Sequence, residues 1–287
     1  MKARNVHINH LLEINLAMIF VSTSGALGRY VELPVPLTIF SRAALALLAL
    51  WLYCKFKGIS LRIGKEDSLH ILLSGLLMGL HWLLYFYALQ LSNVAIGMLS
   101  MFTYPVITSF LEPLVLRTKF HKVHLLLGIL VLIGIYFLVP DHNAGNSYAL
   151  AVGLGVLSAF FYALRNLVLK TKVVKYNGSM LMCYQVGIVV LFLVPTLFFF
   201  DLKAIGSQWK ALAALAILTT ALGHTMFLRS FKHFSITTAS IISSVQPVYG
   251  ILIGAVFLGE IPALQTILGG LLILSSVVIE SVLSYKR

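Results

Sequence analysis

The stretch Thr-Tyr-Pro-Val at residues 103–106 lies near the middle of a long apolar segment, and Val-Gln-Pro-Val at residues 245–248 lies at the same place in another. Residues 85–134 recur in residues 227–276 at the offset of 142 that separates these two prolines. Internal similarity at a constant offset is typical of a duplicated unit. The sequence therefore predicts that two copies of one unit build the chain.

Apolar residues dominate the chain throughout its length. Hydrophobic residues make up 60% of the sequence, charged residues only 10%, and the mean hydropathy is +0.97. This composition excludes a soluble domain of this size, and each apolar stretch is long enough to cross a hydrocarbon core of about 30 Å as a helix. We predict ten transmembrane helices, in the windows 14–30, 36–54, 69–89, 93–116, 123–140, 148–169, 179–200, 211–228, 235–258 and 263–283.

The duplication and the number of helices together predict the architecture. Residues 1–143 and 144–287 each hold five membrane helices, and because five is odd the two units insert in opposite orientations. Inverted repeats are the usual frame of secondary transporters, with the substrate held near the midplane. The predicted fold class is an all-α integral membrane protein whose two inverted five-helix repeats surround a central cavity. Residues 141–147, rich in Asn and Gly, are the expected hinge.

Basic residues report the topology. With the N-terminus placed in the cytoplasm, sixteen of the 21 Lys and Arg residues fall in inner segments and only three in outer segments. The other two, Arg42 and Arg165, lie inside helices. This bias predicts that both termini are cytoplasmic. The net charge of +12 therefore indicates a lipid bilayer as the partner, not a nucleic acid.

Mid-helix prolines indicate where a cavity forms. Pro105 and Pro247 each remove a backbone N–H and open a kink, which frees a carbonyl that survives in a membrane only in packed protein or beside water. The polar or aromatic residues beside them are the candidates to face that cavity. They are Tyr104 and Gln246, with Thr103 and Tyr249 nearby.

Two histidines form a second candidate group. The repeat offset carries His81 to residue 223, next to His224, so both imidazoles are expected at similar depth. Trp82 and Tyr85 add aromatic surface beside them. Each histidine fits either an anion-binding or proton-carrying role, or a neutral hydrogen bond between helices. A metal site would need a third ligand that the sequence does not offer, so we expect neither a metal nor another cofactor.

Charged residues within or beside the membrane segments limit the possible substrates and reactions. Arg42 fits a bidentate pair with a substrate carboxylate, a brace between helix ends, or a side chain that snorkels to the interface. Arg165 lies close to the Lys170 loop, and we expect it to be an interfacial anchor. Glu13 and Glu112 are expected at the interface, so no carboxylate stands at the midplane. A catalytic set of acids, or a nucleophile with its base, is also missing, which argues against an enzyme.

Several motifs in order carry a family resemblance. These are the prolines of residues 33–36 followed by Arg42, the two mid-helix prolines, and Leu-Gly-Glu at residues 258–260 followed by Gly269 and Gly270. In this order and spacing the chain resembles the EamA-type proteins of the drug/metabolite transporter superfamily. The resemblance implies helices 1–4 and 6–9 around a central cavity, helices 5 and 10 at the periphery, and export across the bacterial cytoplasmic membrane. Thr118 departs from that pattern, since Glu260 is its counterpart.

Together these observations predict a carrier without covalent chemistry. We expect a secondary transporter, a monomer or weak homodimer, that exports a small-molecule substrate (aromatic or neutral amino acids, or related metabolites) by alternating access. A multidrug or organic-cation exporter, a nucleotide-sugar-type carrier and, remotely, a membrane enzyme remain alternatives. The expected substrate-binding residues are Ser24, Arg42, His81, Trp82, Tyr85, Thr103, Tyr104, Tyr162, Gln185, His224, Gln246 and Tyr249.

Overall fold

A computed structural model describes residues 2–116, 122–138, 147–233, 239 and 243–285. Over these residues the chain is helical and has no strand. Short 3-10 turns span Val194–Phe198 and Lys203–Ile205, and a π-helical segment spans Leu215–His224. The α-helices are α1 (Lys2–Tyr30), α2 (Val35–Phe56), α3 (Lys65–Leu91), α4 (Val94–Met101), α5 (Tyr104–Leu116), α6 (Val123–Leu138), α7 (Ser147–Leu169), α8 (Lys172–Lys175), α9 (Gly178–Leu193), α10 (Trp209–Ala214), α11 (Thr225–Ser230), α12 (Gln246–Leu258) and α13 (Leu264–Tyr285).

Length and composition make the chain a multi-pass membrane protein. Large apolar side chains such as Leu114, Leu126, Leu191 and Val256 are each about two-thirds or more exposed. Soluble proteins rarely expose contiguous apolar surface on this scale, so these faces meet lipid. Among the described residues six segments are long and apolar enough to span a membrane, namely Val35–Phe56, Lys65–Leu91, Val94–Val115, Ser147–Leu169, Gly178–Phe198 and Trp209–Ser230.

The helix bounds agree with several of the predicted windows. The helices α2, α3 and α7 enclose the windows 36–54, 69–89 and 148–169. The first window was too short, because α1 begins at Lys2 and not near residue 14. Hydropathy marks where a helix enters the bilayer, and the hydrogen-bonded helix continues past that point. Most of the expected hinge at 141–147 and the first part of the window 235–258 lie outside the described residues.

Pro105 stands just after a break in a membrane segment. The helix α4 ends at Met101, and α5 begins at Tyr104 after a turn at residues 102–103. Proline has no N–H to offer the carbonyl of Met101 and its ring crowds that turn, which accounts for the break. Pro247, its counterpart, is the second residue of α12.

Wide turns in the segment Leu215–His224 were not predicted. The hydroxyls of Thr219 and Thr220 both donate to the carbonyl oxygen of Leu215, at 2.5 and 3.0 Å. Side-chain hydroxyls that compete for a helix carbonyl loosen the regular ladder and favour π-type turns. The segment lies next to the region where α1, α2 and α9 meet, so its widened turns bear on the interior of the bundle.

Close packing joins the two halves of the chain. The helix α3 packs on α7, α2 on α9, α1 on α12 and α6 on α13. Glycines make several of these approaches: a Cβ at Gly75 would lie 2.7 Å from Ile188, and one at Gly269 would lie 2.6 Å from the carbonyl oxygen of Gly134. Small residues at helix interfaces let membrane helices approach this closely.

Replacing Gly75 with Ala is expected to destabilise the bundle by about 1–3 kcal/mol, because the new methyl group has to displace Ile188. The measurement is the midpoint of thermal unfolding of the purified protein in detergent. Gly153→Ala is the matched control, since a Cβ there has no neighbour within 4 Å and alanine favours a helix by about 1 kcal/mol over glycine. An unchanged midpoint for Gly75→Ala would contradict the close approach of α3 and α9.

Candidate functional site

A small cavity lies in the interior of the helix bundle. Arg42 is seven residues into α2 and Trp82 nine residues before the end of α3, which puts both about 10 Å or more inside their helices. The cavity receives side chains from α1, α2, α3, α4, α7, the π-helical segment and α12. Among the described residues its lining is Val21, Ser24, Arg42, His81, Trp82, Tyr85, Met101, Tyr162, His224 and Gln246.

Arg42 is the charged centre of this lining. Its side chain is only 1% exposed, and its Nε donates to the Thr220 hydroxyl at 2.7 Å. The guanidinium carbon lies 4.1 Å from the centre of the Trp82 ring, a cation–π contact. Its two terminal nitrogens, Nη1 and Nη2, have no hydrogen-bond partner among the described residues. The burial excludes the snorkelling alternative, while the contacts with Thr220 and Trp82 tie α2 to its neighbours within the bundle and not at a helix end.

His81 is fixed between two helices. Its Nδ1 lies 2.8 Å from the Ser158 hydroxyl of α7, and that hydroxyl lies 3.0 Å from the His81 carbonyl oxygen. The imidazole also stacks on the Tyr162 ring, with ring centres 4.5 Å apart. One face of the cavity is thereby built from a histidine held in a single orientation. Ser158 was missed by the sequence analysis, because a serine in a helix carries no signal of its own.

His224 and Trp82 meet across the cavity. Their ring centres are 5.7 Å apart and tilted by 53°. The His224 Nδ1 and the Trp82 Nε1 are buried without a hydrogen-bond partner in the described part of the chain. Buried polar atoms of this kind are rare in native proteins, and they mark a place where a water or ligand belongs.

A second layer of polar side chains supports the lining. The Tyr104 hydroxyl lies 2.7 Å from the Ser243 hydroxyl, and the Tyr104 ring meets the Tyr162 ring edge to face at 4.9 Å. The carbonyl oxygen of Gln246 accepts from the Ser22 hydroxyl at 3.0 Å, which ties α12 to α1. The aromatic wall is thus supported from behind, and the backbone of α12 at Gln246 is tied to α1.

The structure brings most of the expected residues together. Eight of the twelve line the cavity: Ser24, Arg42, His81, Trp82, Tyr85, Tyr162, His224 and Gln246. Tyr104 stands one layer behind it, and Gln185 is bound to Arg165. The Thr103 hydroxyl donates to Ser100 in its own turn, and Tyr249 is half-buried outside the lining. The sequence thus named eight residues of this lining and Tyr104 behind it, but not Ser158, Thr220 or Ser243, which bond to them.

Arg165 is not the interfacial anchor that its position near Lys170 predicted. Its side chain is fully buried, its Nε donates to the Gln185 amide oxygen at 2.8 Å, and its Nη1 donates to the Asn166 amide oxygen at 2.9 Å. Amide oxygens are neutral acceptors, so the charge is solvated by dipoles and not by a carboxylate. Arg165 therefore braces α7 against α9.

Ion pairs close the bundle at the end where Arg29 and Glu260 lie, called here the Glu260 end. The Arg29 Nε donates to Glu260 at 3.0 Å, and the Val94 N–H at the start of α4 donates to the same carboxylate at 2.8 Å. An acidic group at a helix N-terminus satisfies free N–H groups and complements the helix dipole. The carboxylate thereby joins α1 and α4 to the segment after α12.

A denser cluster closes the opposite end, called here the Asp67 end, where α3 begins. Asp67 accepts from Lys172 at 2.5 Å, from Lys175 at 2.6 Å and from the Tyr176 hydroxyl at 2.7 Å. Lys175 also donates to Glu66 at 2.8 Å. These hydrogen bonds to Asp67 and Glu66 raise the pKa of the Lys175 ammonium above its usual value. The start of α3 is thereby fastened to the segment between α7 and α9.

Between these two ends the cavity is narrow. The volume open to the centre of a water molecule is about 10 Å³, which is room for about one water. The side chains that line this cavity therefore have to move apart before it admits an organic molecule. Its walls combine aromatic rings with a guanidinium, two imidazoles, a hydroxyl and an amide. Among the described residues no three His, Cys, Asp or Glu side chains group as a metal site requires.

Comparisons with known proteins identify the family. The model of the EamA-like transporter family matches residues 11–139 and again residues 149–282. The resemblance drawn from the prolines and glycines is thereby confirmed. A solved crystal structure covers 97% of this chain and 98% of its own with a TM-score of 0.70 at 16% sequence identity, so it shares the fold.

Curated relatives span most of the chain at low identity. The pseudopaline exporter CntI of Pseudomonas aeruginosa is 24% identical over 242 residues, which are 84% of each chain. The uncharacterized transporter YxxF of Bacillus subtilis is 24% identical over 283 residues, 95% of this chain and 89% of its own. An uncharacterized transporter of Archaeoglobus fulgidus is 27% identical over 197 residues, 68% of this chain and 70% of its own. Each is similar to this chain in being a transporter.

Gln185→Leu is expected to lower the thermal midpoint in detergent, because it leaves the Arg165 Nε buried without an acceptor. The loss of a hydrogen bond to a charged group costs about 1.5–3 kcal/mol. Gln185→Glu keeps an acceptor at the same place and serves as the control, with a midpoint at or near that of the wild type. Equal midpoints for Gln185→Leu and the wild type would contradict the bracing role of Arg165.

Proposed function

The chain belongs to the EamA-like transporter family, and from that premise we propose that it exports amino acids or related small metabolites by alternating access. The observation that carries the proposal is the cavity at Arg42, His81 and Gln246, which is enclosed within a membrane bundle between two ion-paired ends. Substrate sites of secondary transporters lie at such a depth, between the two halves of the chain.

The proposed architecture is two inverted repeats of five helices. Two observations support it. The family model matches the chain twice, once in each half. The helix contacts also agree with two equivalent units. The first helix of one unit, α1, packs on α12, and the first helix of the other, α7, packs on α4 and α5, of which α5 is the equivalent of α12 in the first unit. The pairs α2 with α9 and α6 with α13 each join equivalent helices.

Each end of the bundle supplies one closure of the proposed cycle. The Glu260 end and the Asp67 end lie about 40 Å apart along α3, because that helix runs for 27 residues between them. At each end the ion pairs join residues of the first unit to residues of the second. Opening one end while the other stays closed exposes the cavity to one side of the membrane at a time.

The lining also fits the proposed substrates. Trp82, Tyr85 and Tyr162 offer apolar surface for the body of a small metabolite, and polar groups such as Arg42 and Gln246 orient its ends. The printed name of one relative, a pseudopaline exporter, supports metabolite export as the class. An organic-cation exporter fits less well, because a guanidinium and no carboxylate lines the described cavity.

The proposal places the protein in the bacterial cytoplasmic membrane with both termini in the cytoplasm. The excess of Lys and Arg in the segments on one side supports this orientation. In it the Asp67 end faces the cytoplasm and the Glu260 end faces outward. The two repeats complete the cavity within one chain, so a monomer or weak homodimer suffices.

Proteoliposomes loaded with labelled amino acids test the proposed transport. Saturable counterflow of aromatic or other neutral amino acids is the expected result. Gln246→Ala and Tyr104→Ala are expected to abolish it with no loss of inserted protein, because one removes a polar group of the lining and the other removes the support of Tyr162. Gln265→Ala, at an exposed position of α13, is the control that keeps transport. Full activity of both cavity variants would contradict the proposed site.

The two closures are tested by chemical access to the cavity. A Ser24→Cys chain in which Cys54 and Cys183 are replaced by Ala carries one thiol in the lining. Glu260→Gln is expected to speed its labelling by a membrane-impermeant reagent added outside, and Asp67→Asn by the same reagent added inside, since each weakens one set of ion pairs. Glu32→Gln, an exposed carboxylate at the Glu260 end, is the control that leaves the rates unchanged. Equal rates from both sides in all variants would contradict separate closures.

A further inference from the structure

The cavity presents hydrogen-bond donors that nothing in the described chain satisfies. The Nη1 and Nη2 of Arg42 and the Nε1 of Trp82 are buried and have no partner among the described residues. All three atoms are donors that cannot act as acceptors. Two side chains that line one cavity therefore offer donors to an acceptor that the described residues do not supply.

Arg42 is held so that its free edge stays available. The Thr220 hydroxyl accepts a hydrogen bond from the Nε, and the guanidinium lies over the Trp82 ring. Among the described residues, the edge formed by Nη1 and Nη2 is the side without a partner. Two parallel N–H groups at that edge match the two oxygens of a carboxylate. The described contacts thus orient the arginine and leave this edge available to an anion.

The described residues supply no counter-charge in this lining. Among the described residues, the ten that line the cavity include no Asp or Glu. The described carboxylates that form ion pairs do so with basic groups away from the lining: Glu13 with Arg229, Glu66 with Lys175, Asp67 with Lys172 and Lys175, Glu112 with Lys170, and Glu260 with Arg29. A buried cation without a counter-ion is stabilised by an anionic ligand.

We propose that Arg42 binds the carboxylate of the transported substrate and that this carboxylate, not an ammonium group, is the group the carrier requires. The inference rests on the proposed transport function and specifies its substrate class. The rings of Trp82, Tyr85 and Tyr162 then cover the apolar body of the same molecule. The substrate class is a small organic acid with a flat or apolar side chain, with or without an amino group.

An ammonium group finds only weak partners in this lining. Ser24 and Gln246 offer neutral oxygens, and neither replaces a carboxylate as a partner for a cation. The positive charge of Arg42 in the same cavity repels a second cation. A 2-oxo acid therefore binds at least as well as the amino acid with the same side chain, whereas the amine that lacks the carboxylate is rejected.

Thermal unfolding of the wild-type protein in detergent tests this selectivity. The probes are phenylalanine, phenylpyruvate, phenethylamine and sodium chloride, because the three organic molecules share a ring and differ in their charged groups. A ligand that binds the folded protein raises the midpoint in proportion to its saturation of the site. Phenylpyruvate and phenylalanine are expected to raise the midpoint, and phenethylamine at the same concentration is expected to leave it unchanged.

Two matched variants assign the effect to Arg42. Arg42→Lys keeps the positive charge but loses the two-pronged edge, and it is expected to weaken carboxylate binding at least tenfold. Arg165→Lys is the control, because Arg165 is equally buried and lies outside the lining, with its Nε and Nη1 bound to protein groups and only its Nη2 without a partner among the described residues. In Arg165→Lys the ratio of acid to amine binding should match that of the wild type. If either variant fails to fold, the comparison of the three organic ligands on the wild-type protein still tests whether the carboxylate is required.

Three results would each overturn the inference. The first is a shift with phenethylamine that equals or exceeds the shift with the acids. The second is the same shift with sodium chloride alone, and the third is no shift with the acids at millimolar concentration. None of these results bears on transport itself, which the counterflow experiment measures separately. Amino-acid counterflow together with an equal midpoint shift from phenethylamine would keep the proposed function and lose this substrate class.

Discussion

The contact of the Arg42 guanidinium with the Trp82 ring and the Thr220 hydroxyl is the interaction on which the interior of this protein depends. A charge in hydrocarbon costs about 2.5–3.5 kcal/mol on insertion scales, so it has to be enclosed by other helices. The ring belongs to α3 and the hydroxyl to the π-helical segment, and α2 is thereby fixed to both. The same arrangement packs the bundle and sets the chemistry of the cavity, since Arg42 lines the cavity and its Nη1 and Nη2 have no partner among the described residues.

The two closed ends differ in how much solvent reaches them. The Asp67 side chain is 4% exposed and has three donors, whereas Arg29 and Glu260 are 39% and 22% exposed. Solvent screens an exposed pair more than a buried one, so the Glu260 closure is the weaker of the two. A carrier works best when neither form is trapped, and a substrate shifts the balance only if it interacts differently with the two forms. In the proposed cycle, the bound substrate changes which of the two sets of ion pairs opens.

Residues whose polarity conflicts with an apolar setting could be predicted from the sequence. Arg42, His81, His224 and Gln246 stand out for this reason, and the structure brings them together. The supporting layer could not be predicted, because Ser158 and Thr220 are ordinary residues in membrane helices and act only through partners 77 and 178 positions away. The π-type turns escaped detection for a similar reason. They arise from two hydroxyls that share one carbonyl, and no periodicity reveals which rotamer a threonine adopts.

The small volume of the cavity bears on whether protons leak across the membrane through the protein. Protons cross membrane proteins along connected relays of waters and titratable groups, and a hydrophobic constriction interrupts such a relay by excluding water. A space that holds about one water offers no continuous file between the two sides. In the proposed cycle, an idle carrier in this form therefore offers protons no water-filled path through this cavity, and the proton gradient is not spent by that route.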